Sequence, residues 1–247
     1  MPPDRVTLPR FFVEGVHAVG DVVTLTGADA RKLVVVLRSR SGDEVELCDS
    51  AGQTFLARLQ VERAAVMATV FKARARASEP RLHITLAQAV PKGAKMDFVV
   101  EKATELGVAT VIPLLTERAE AVPSAAKLER WRRLARAAST QSGRTTIADV
   151  AEPATFDQFL DSAGATRLFM PWELSEQVPL RDQLPSLVRD VARIAVVIGP
   201  EGGFSHAEVE RATTAGAAIL SLGSRILRTE TAGLVLLSAL LYACGEL

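Results

Sequence analysis

The chain has 247 residues, 48% of them hydrophobic and 23% charged, enough to bury the core of one large domain or two smaller ones. Its 29 Lys and Arg balance 29 Asp and Glu, so the chain as a whole carries no electrostatic footprint of nucleic-acid binding. Two distant cysteines, Cys48 and Cys244, speak against a disulfide framework and for a reducing compartment. The opening stretch MPPDRVTLPRFFVEG lacks the apolar segment of a secretory signal. The longest apolar run, residues 232–244, is too short to span a bilayer, so a cytoplasmic protein without membrane contact is expected.

In chain order, short β-leaning segments come first: RFFV, VVTLTG, DEVELCD, TFLARLQV and AVMATVF, broken by glycines at 15, 20, 27, 42 and 52. This texture predicts a small β-rich domain over 1–74, a barrel, interrupted by one helical piece at 29–38. The basic segment ending at Pro80 marks the boundary, and a second domain occupies 80–247. There HITLAQAV predicts a strand, and Met96, Val99, Val100, Ala103 and Leu106 recur at helical spacing, with Gly107 placed to end that helix. A strand at 111–115, a long basic helix over 127–144, and strands at 167–170, 193–198 and 217–222 follow. Helices near 180–190 and 205–215 and a last one from about 229 to 244 fall between and after them. The alternation predicts an α/β fold, a mostly parallel sheet with helices on both faces.

Two segments carry chemistry. VVIGPEGGFSHAEVE, residues 196–210, runs from a β-branched strand into a glycine loop and a helix. A phosphate loop would need a lysine, yet none follows Gly199, Arg211 is the first cation, and Glu201 adds a negative charge. The spacing also fails the dinucleotide fingerprint. Ser205 and Glu208 form a capping box that satisfies the helix start from within. Gly202 and Gly203 let a ligand approach bare backbone, which suits a neutral or cationic ligand better than a phosphate. The second segment, LSLGSRILRTETAGLVLLSALL at 220–241, places Arg225 and Arg228 close to a helix start. Cations are unfavourable there, so they point to an outside partner or to an ion pair with Glu201 or Glu230. Thr229 or Thr231 is the expected N-cap.

Taken together, IGPEGGFS and LGSRILRTETA resemble the signature of the RsmE family of 16S ribosomal RNA uridine-N3 methyltransferases, members of the SPOUT superfamily. HITLAQAVPKGAKMDFVVEKATELGV, IPLLTERA and AASTQSGR extend the resemblance along most of the chain. It implies an N-terminal PUA-like β-barrel that binds RNA, a C-terminal α/β-knot domain with a deep trefoil knot, a homodimer, and S-adenosyl-L-methionine as cofactor. The cofactor site would be formed by Phe169, Met170 and Pro171; by Ile198, Gly199, Pro200, Gly202 and Gly203; and by Leu222, Gly223, Ile226, Leu227, Thr229, Thr231 and Ala232. That cofactor has no phosphate and a positive sulfonium, which suits a loop without lysine. The chain departs from the family at Arg31 and Lys32, where histidines are frequent, and at Thr140, where Glu precedes the Gln.

The implied substrate is 16S rRNA, free or in an assembled small subunit. N3 lies on the base-pairing edge, so the uridine has to be unpaired or flipped. Arg228 is the expected stabiliser of charge developing on the uracil carbonyl oxygens. Glu201 is the candidate base, or else a carboxylate holding Arg228 or the loop. For RNA the candidates are Arg10, Arg31, Lys32 and Arg38 in the first domain, and Lys92, Lys95, Arg118, Gln141 and Arg144 in the second. His17, His83 and His206 show no ligand spacing, and no metal is expected; His83, inside a strand, reads as structural. The competing readings are a non-catalytic RNA-binding protein, against which the intact glycine and RTET segments count, and a Rossmann-type oxidoreductase, against which the missing fingerprint counts.

Overall fold

The computed structural model describes residues 8–62, 65–74, 79–119, 122–164, 166–175, 180–189 and 191–247. The chain divides into two compact units, one of Met1–Glu79 with Ser139–Ile147 and one of Pro80–Ala138 with Ala148–Leu247. The return of 139–147 to the first unit is not visible in the sequence, where residue 80 looks like a single cut.

In the first unit the strands are β1 (Arg10–Phe12), β2 (Val22–Leu25), β3 (Glu44–Cys48), β4 (Thr54–Val61) and β5 (Val66–Arg74). Helix α1 (Gly27–Arg31) runs on into a π-helical stretch, Lys32–Val36. The sheet order is β1-β3-β4-β5-β2, antiparallel except for β1 beside β3. Alternate residues of β2 and of the first half of β5 are buried, so one face covers the core and the other faces water. Phe11, Leu33, Val45, Leu47, Phe55, Leu59 and Val70 form that core. Where a barrel was expected, the strands form an open five-stranded sheet with β1 and β2 at its two edges.

In the second unit, β6 (His83–Ala89), β7 (Thr110–Leu115), β8 (Asp149–Val150), β9 (Ala154–Thr155), β10 (Arg167–Pro171), β11 (Arg193–Ile198) and β12 (Ala218–Leu220) form one parallel sheet. Its order is β12-β10-β11-β6-β7-β8, with β9 also paired to β7. The helices are α2 (Lys95–Glu105), α3 (Ala125–Gln141), α4 (Phe156–Ser162), α5 (Leu180–Leu187), α6 (His206–Thr214) and α7 (Thr229–Ala243).

Sequence pattern explains the layering. RIAVVI in β11 is almost wholly buried because both faces are covered. Ile194, Val196 and Ile198 point into a core shared with α2, α3, α5 and α7. Ala195 and Val197 point into the opposite core, with Phe156 and Phe159 of α4 and Val209 of α6. Helices therefore do cover both faces. Helix α2 ends as its sequence predicts, with Gly107 at φ +90° past the last turn. Helix α4 and the short strands β8 and β9 were not apparent from sequence. His83 is solvent-exposed at the start of β6, so the strand does not bury it.

Candidate active site

The parallel strands β10, β11 and β12 deliver three loops to one end of the sheet, where an α/β fold builds its ligand sites. Those loops enclose a cavity of about 780 Å³. Its walls include Pro171, Ile198, Gly199, Pro200, Glu201, Gly202, Gly203, Leu222, Gly223, Ile226, Leu227, Arg228, Thr229 and Ala232, together with Lys95. Three residues expected here lie elsewhere. Phe169 and Met170 are fully buried in the two cores, because alternate residues of a central strand serve the sheet faces and not the strand end. Thr231 is exposed on the first turn of α7 and does not line the cavity.

The glycine loop is shaped locally. The Gly203 N–H donates to the Pro200 carbonyl at 2.9 Å, and Gly203 adopts φ +67°, a conformation suited to glycine. A side chain at Gly199 would meet the Phe204 ring at 3.0 Å. The capping box forms in both directions: the Ser205 hydroxyl accepts from the Glu208 N–H, and Glu208 Oε2 accepts from the Ser205 N–H. Glu208 is fully buried, and its other oxygen accepts from the Glu117 N–H at 2.9 Å, fastening the helix start to the segment after β7.

The loop between β12 and α7 behaves differently. Among the described residues, the main chain of residues 224–227 makes no hydrogen bond within the chain, although all four line the cavity. Unpaired backbone groups beside a cavity are what a ligand read through N–H and C=O requires. The N-cap of α7 is Arg228 and not a threonine. Thr229 is already inside the helix as its first residue, and its hydroxyl donates to the Gly199 carbonyl at 2.5 Å.

Lys95 is the centre of a charge cluster at the cavity. Lys95 Nζ lies 3.3 Å from Glu201 and 3.5 Å from Glu230. Arg228, 81% exposed at its side chain, reaches only to within 4.0 Å of Glu230. Glu201 accordingly pairs with Lys95 and the Lys92 N–H and not with Arg228. Partial burial opposes ionisation of Glu201, but hydrogen bonds from its own and the Lys92 backbone N–H groups and from Lys95 outweigh it, holding the carboxyl below the usual range. A carboxylate so stabilised accepts a proton less readily than a free one, and its position suits the other role considered for it, holding the loop. Trp172, Glu173, Leu174, Phe204, Ser221, Ser224 and Arg225 also line the cavity. Trp172 and Glu173 follow directly on β10, and only the position of the strand end could have pointed to them.

The residues expected to meet RNA fall into two groups. Arg31, Lys32, Arg38 and Gln141 are exposed. Arg38 is the one non-glycine described residue at positive φ, 54°. Others are engaged internally. Arg10 donates to Glu46 and to the carbonyls of Gly143 and Arg144. Arg144 is buried and paired with Glu79 at 2.8 Å. Arg144 is buried and Arg10 partly so, and a guanidinium withdrawn from water takes protein partners. Arg118 donates to the Gly202 carbonyl at 2.7 Å, Lys95 belongs to the charge cluster, and the Lys92 N–H is bound to Glu201. Among the described residues no cluster of His, Cys, Asp or Glu could hold a metal, and no helix is long and apolar enough to cross a membrane. Cys48 and Cys244 are both free.

Comparison with known proteins agrees with this geometry. A family profile described as an RNA methyltransferase domain matches residues 78–241. Ribosomal RNA small subunit methyltransferase E of Synechocystis sp. is 36% identical over 230 residues, 93% of this chain and 76% of the relative. The protein of that name from Bacillus subtilis is 31% identical over 228 residues, 89% of each chain. Among solved structures, ribosomal RNA small subunit methyltransferase E from Neisseria gonorrhoeae bound to S-adenosyl methionine superposes with a TM-score of 0.85 at 33% identity, covering 95% of this chain and 97% of that one. The loops that build the cavity, residues 171–174, 198–204 and 221–232, lie within the matched span, and the chain belongs to the family of RNA methyltransferases that includes the small-subunit methyltransferase E proteins.

Proposed function

We propose that this chain methylates N3 of an unpaired or flipped uridine in 16S ribosomal RNA, using S-adenosyl-L-methionine. The observation that carries the reading is the cavity walled by the glycine loop and by a β12–α7 loop with unpaired main-chain groups, in a chain whose relatives are named as small-subunit ribosomal RNA methyltransferases. The walls fit the cofactor. Backbone of residues 224–227 suits an adenine edge, and Gly199, Gly202 and Gly203 admit close approach in a loop that has no lysine of its own, the one at the wall, Lys95, being paired with Glu201. Ile198, Gly199, Pro200, Gly202, Gly203, Leu222, Gly223, Ile226, Leu227 and Ala232 are the residues that would hold it. When bound, S-adenosylmethionine supplies the electrophilic methyl group.

The chain's own contribution is position and charge. Uridine N3 is weakly acidic, and a cation at the N3 and carbonyl edge of the base favours loss of its proton. Arg228, at the cavity and loosely held, serves that end by stabilising charge on the uracil oxygens. Glu201 anchors the loop to Lys95. The exposed Arg31, Lys32, Arg38 and Gln141 are the surface that takes the RNA backbone, and the open sheet of the first unit is read as part of a PUA-like barrel.

The C-terminal region is read as a trefoil knot. Strand β12 pairs at the far side of β10, while α7 packs back on β11 and α2, a path that supports threading of the chain beneath its own loop. Exposed Val235 and Tyr242 of α7 and Phe98 of α2 support a homodimer, acting in the cytoplasm. Mass spectrometry of ribosomal RNA from cells with and without the gene tests the function. A methyluridine missing from the small-subunit RNA of the deletion strain supports it; an unchanged set of methyluridines overturns it. Calorimetry adds a second check: saturable binding of S-adenosylmethionine, and not of NAD or ATP, is expected.

A further inference from the structure

Gln88 is a polar side chain with no solvent exposure, at the C-terminal end of the central strand β6, where its neighbours Leu86, Ala87 and Ala89 are buried apolar residues. Its amide donates to Thr229 Oγ1 at 2.8 Å and to the Ala89 carbonyl at 3.0 Å. The Thr229 hydroxyl has one proton, and that proton goes to the Gly199 carbonyl at 2.5 Å. Thr229 can therefore only accept from Gln88, which fixes the orientation of the amide. The chain of donors runs one way, from Gln88 to Thr229 to Gly199.

This chain joins the two walls of the cavity. Gly199 opens the glycine loop, and Thr229 is the first residue of α7, directly after Arg228. The amide oxygen of Gln88 has no hydrogen-bond partner in the described structure. It lies where a Cβ on Gly233 would come within 3.4 Å, and that Cβ would also meet Ile198 at 3.3 Å, so glycine at 233 leaves the amide its room. A core position that keeps a half-satisfied amide beside buried aliphatics is better explained by what the amide positions than by stability.

We propose that Gln88 is a positioning residue that sets the spacing of the two cofactor-binding loops through the Thr229 hydroxyl. The inference rests on the reading of this cavity as the S-adenosylmethionine site. A Gln88→Met substitution keeps the volume close to constant and removes the donor, and Thr229→Val removes the relay. Each is expected to weaken S-adenosylmethionine binding in calorimetry about tenfold, the scale of one lost hydrogen bond in a preformed site; ligand-free Gln88→Met keeps its melting temperature, while Thr229→Val, which leaves the buried Gln88 amide short of an acceptor, melts lower. The double variant is expected to bind no more weakly than either single one, and Thr229→Ser to retain binding. Wild-type affinity in Gln88→Met, or additive losses in the double variant, overturns the proposal. If Gln88→Met does not fold, the amide is structural and the proposal is overturned unless Thr229→Val folds and shows the loss while Thr229→Ser does not. Failure of the unmodified protein to bind S-adenosylmethionine would instead overturn the functional reading on which the inference rests.

Discussion

Arg118 donates a hydrogen bond of 2.7 Å to the main-chain carbonyl of Gly202, although the two lie 84 residues apart in sequence. The guanidinium thereby pins the middle of the glycine loop from the segment after β7, beside the Glu117 N–H that binds Glu208. Arg118→Ala should loosen that wall and weaken S-adenosylmethionine binding about fivefold, roughly 1 kcal/mol for an exposed charge-assisted bond. Calorimetry checks this. If Arg118 instead serves RNA alone, the cofactor affinity will be unchanged and only the KM for ribosomal RNA will rise.

Gly107 and Pro80 offer a prediction about stability. Gly107 holds φ +90° past the end of α2, and a Cβ there would come within 2.4 Å of the Pro80 ring. Gly107→Ala therefore combines an unfavourable backbone conformation with a contact that a rigid ring cannot easily yield. A loss of roughly 2 kcal/mol is expected, seen as a melting temperature lower by several degrees. Pro80→Ala in the same background should restore part of it; a single variant as stable as the parent would refute the account.

Local signals in the chain were readable because their partners are a few residues away. The Ser205–Glu208 capping box, the Gly107 helix end and the apolar run of β11 all depend on neighbours in sequence, and the structure has them where the pattern puts them. Long-range pairing was not readable. Arg10 and Arg144 look like surface cations until Glu46 and Glu79 are brought to them across 36 and 65 residues. Thr229 looks like a helix cap, but the helix starts on it, and its hydroxyl is committed to the Gly199 carbonyl 30 residues earlier. The family resemblance implies Phe169 and Met170 at the cofactor site, but pleat and burial put their side chains in the two cores. Position along a strand locates a site; which face each residue serves has to come from the sheet.

The Glu79–Arg144 pair predicts a pH dependence. Burial opposes the charged form of Glu79, but the Arg144 guanidinium and the N–H groups of Thr145 and Thr146, at 2.7 and 3.1 Å, outweigh it and hold the carboxyl below its ordinary range. Because the folded value lies below the unfolded one, about 4.3, the stabilisation is complete above that pH. It is lost as pH falls through the depressed folded value. Melting curves should thus show a decline on the acid side of pH 4 that Glu79→Gln flattens. At neutral pH, Glu79→Ala leaves buried Arg144 without its carboxylate and should cost about 3 kcal/mol. An acid limb equally steep in Glu79→Gln would assign the effect to other carboxylates.

Arg228 separates binding from catalysis. Its side chain is 81% exposed, its nearest carboxylate is 4.0 Å away, and its backbone already serves as the N-cap of α7, so the fold makes little use of the guanidinium. Arg228→Ala should leave the melting temperature unchanged and cofactor affinity within about threefold, since an adenine edge met by the backbone of residues 224–227 does not depend on that side chain. Turnover on ribosomal RNA should fall about 100-fold, the usual scale for removing one group that stabilises developing charge. On the proposed role of this cation in loss of the N3 proton, the residual activity should rise with pH over a wider range than in the parent. Arg228→Lys should recover part of the rate, as a point charge can stabilise the uracil oxygens without matching the planar fork. Turnover in Arg228→Ala close to that of the parent would exclude Arg228 from the reaction and leave Arg225, the other arginine lining the cavity, as the cation to test next.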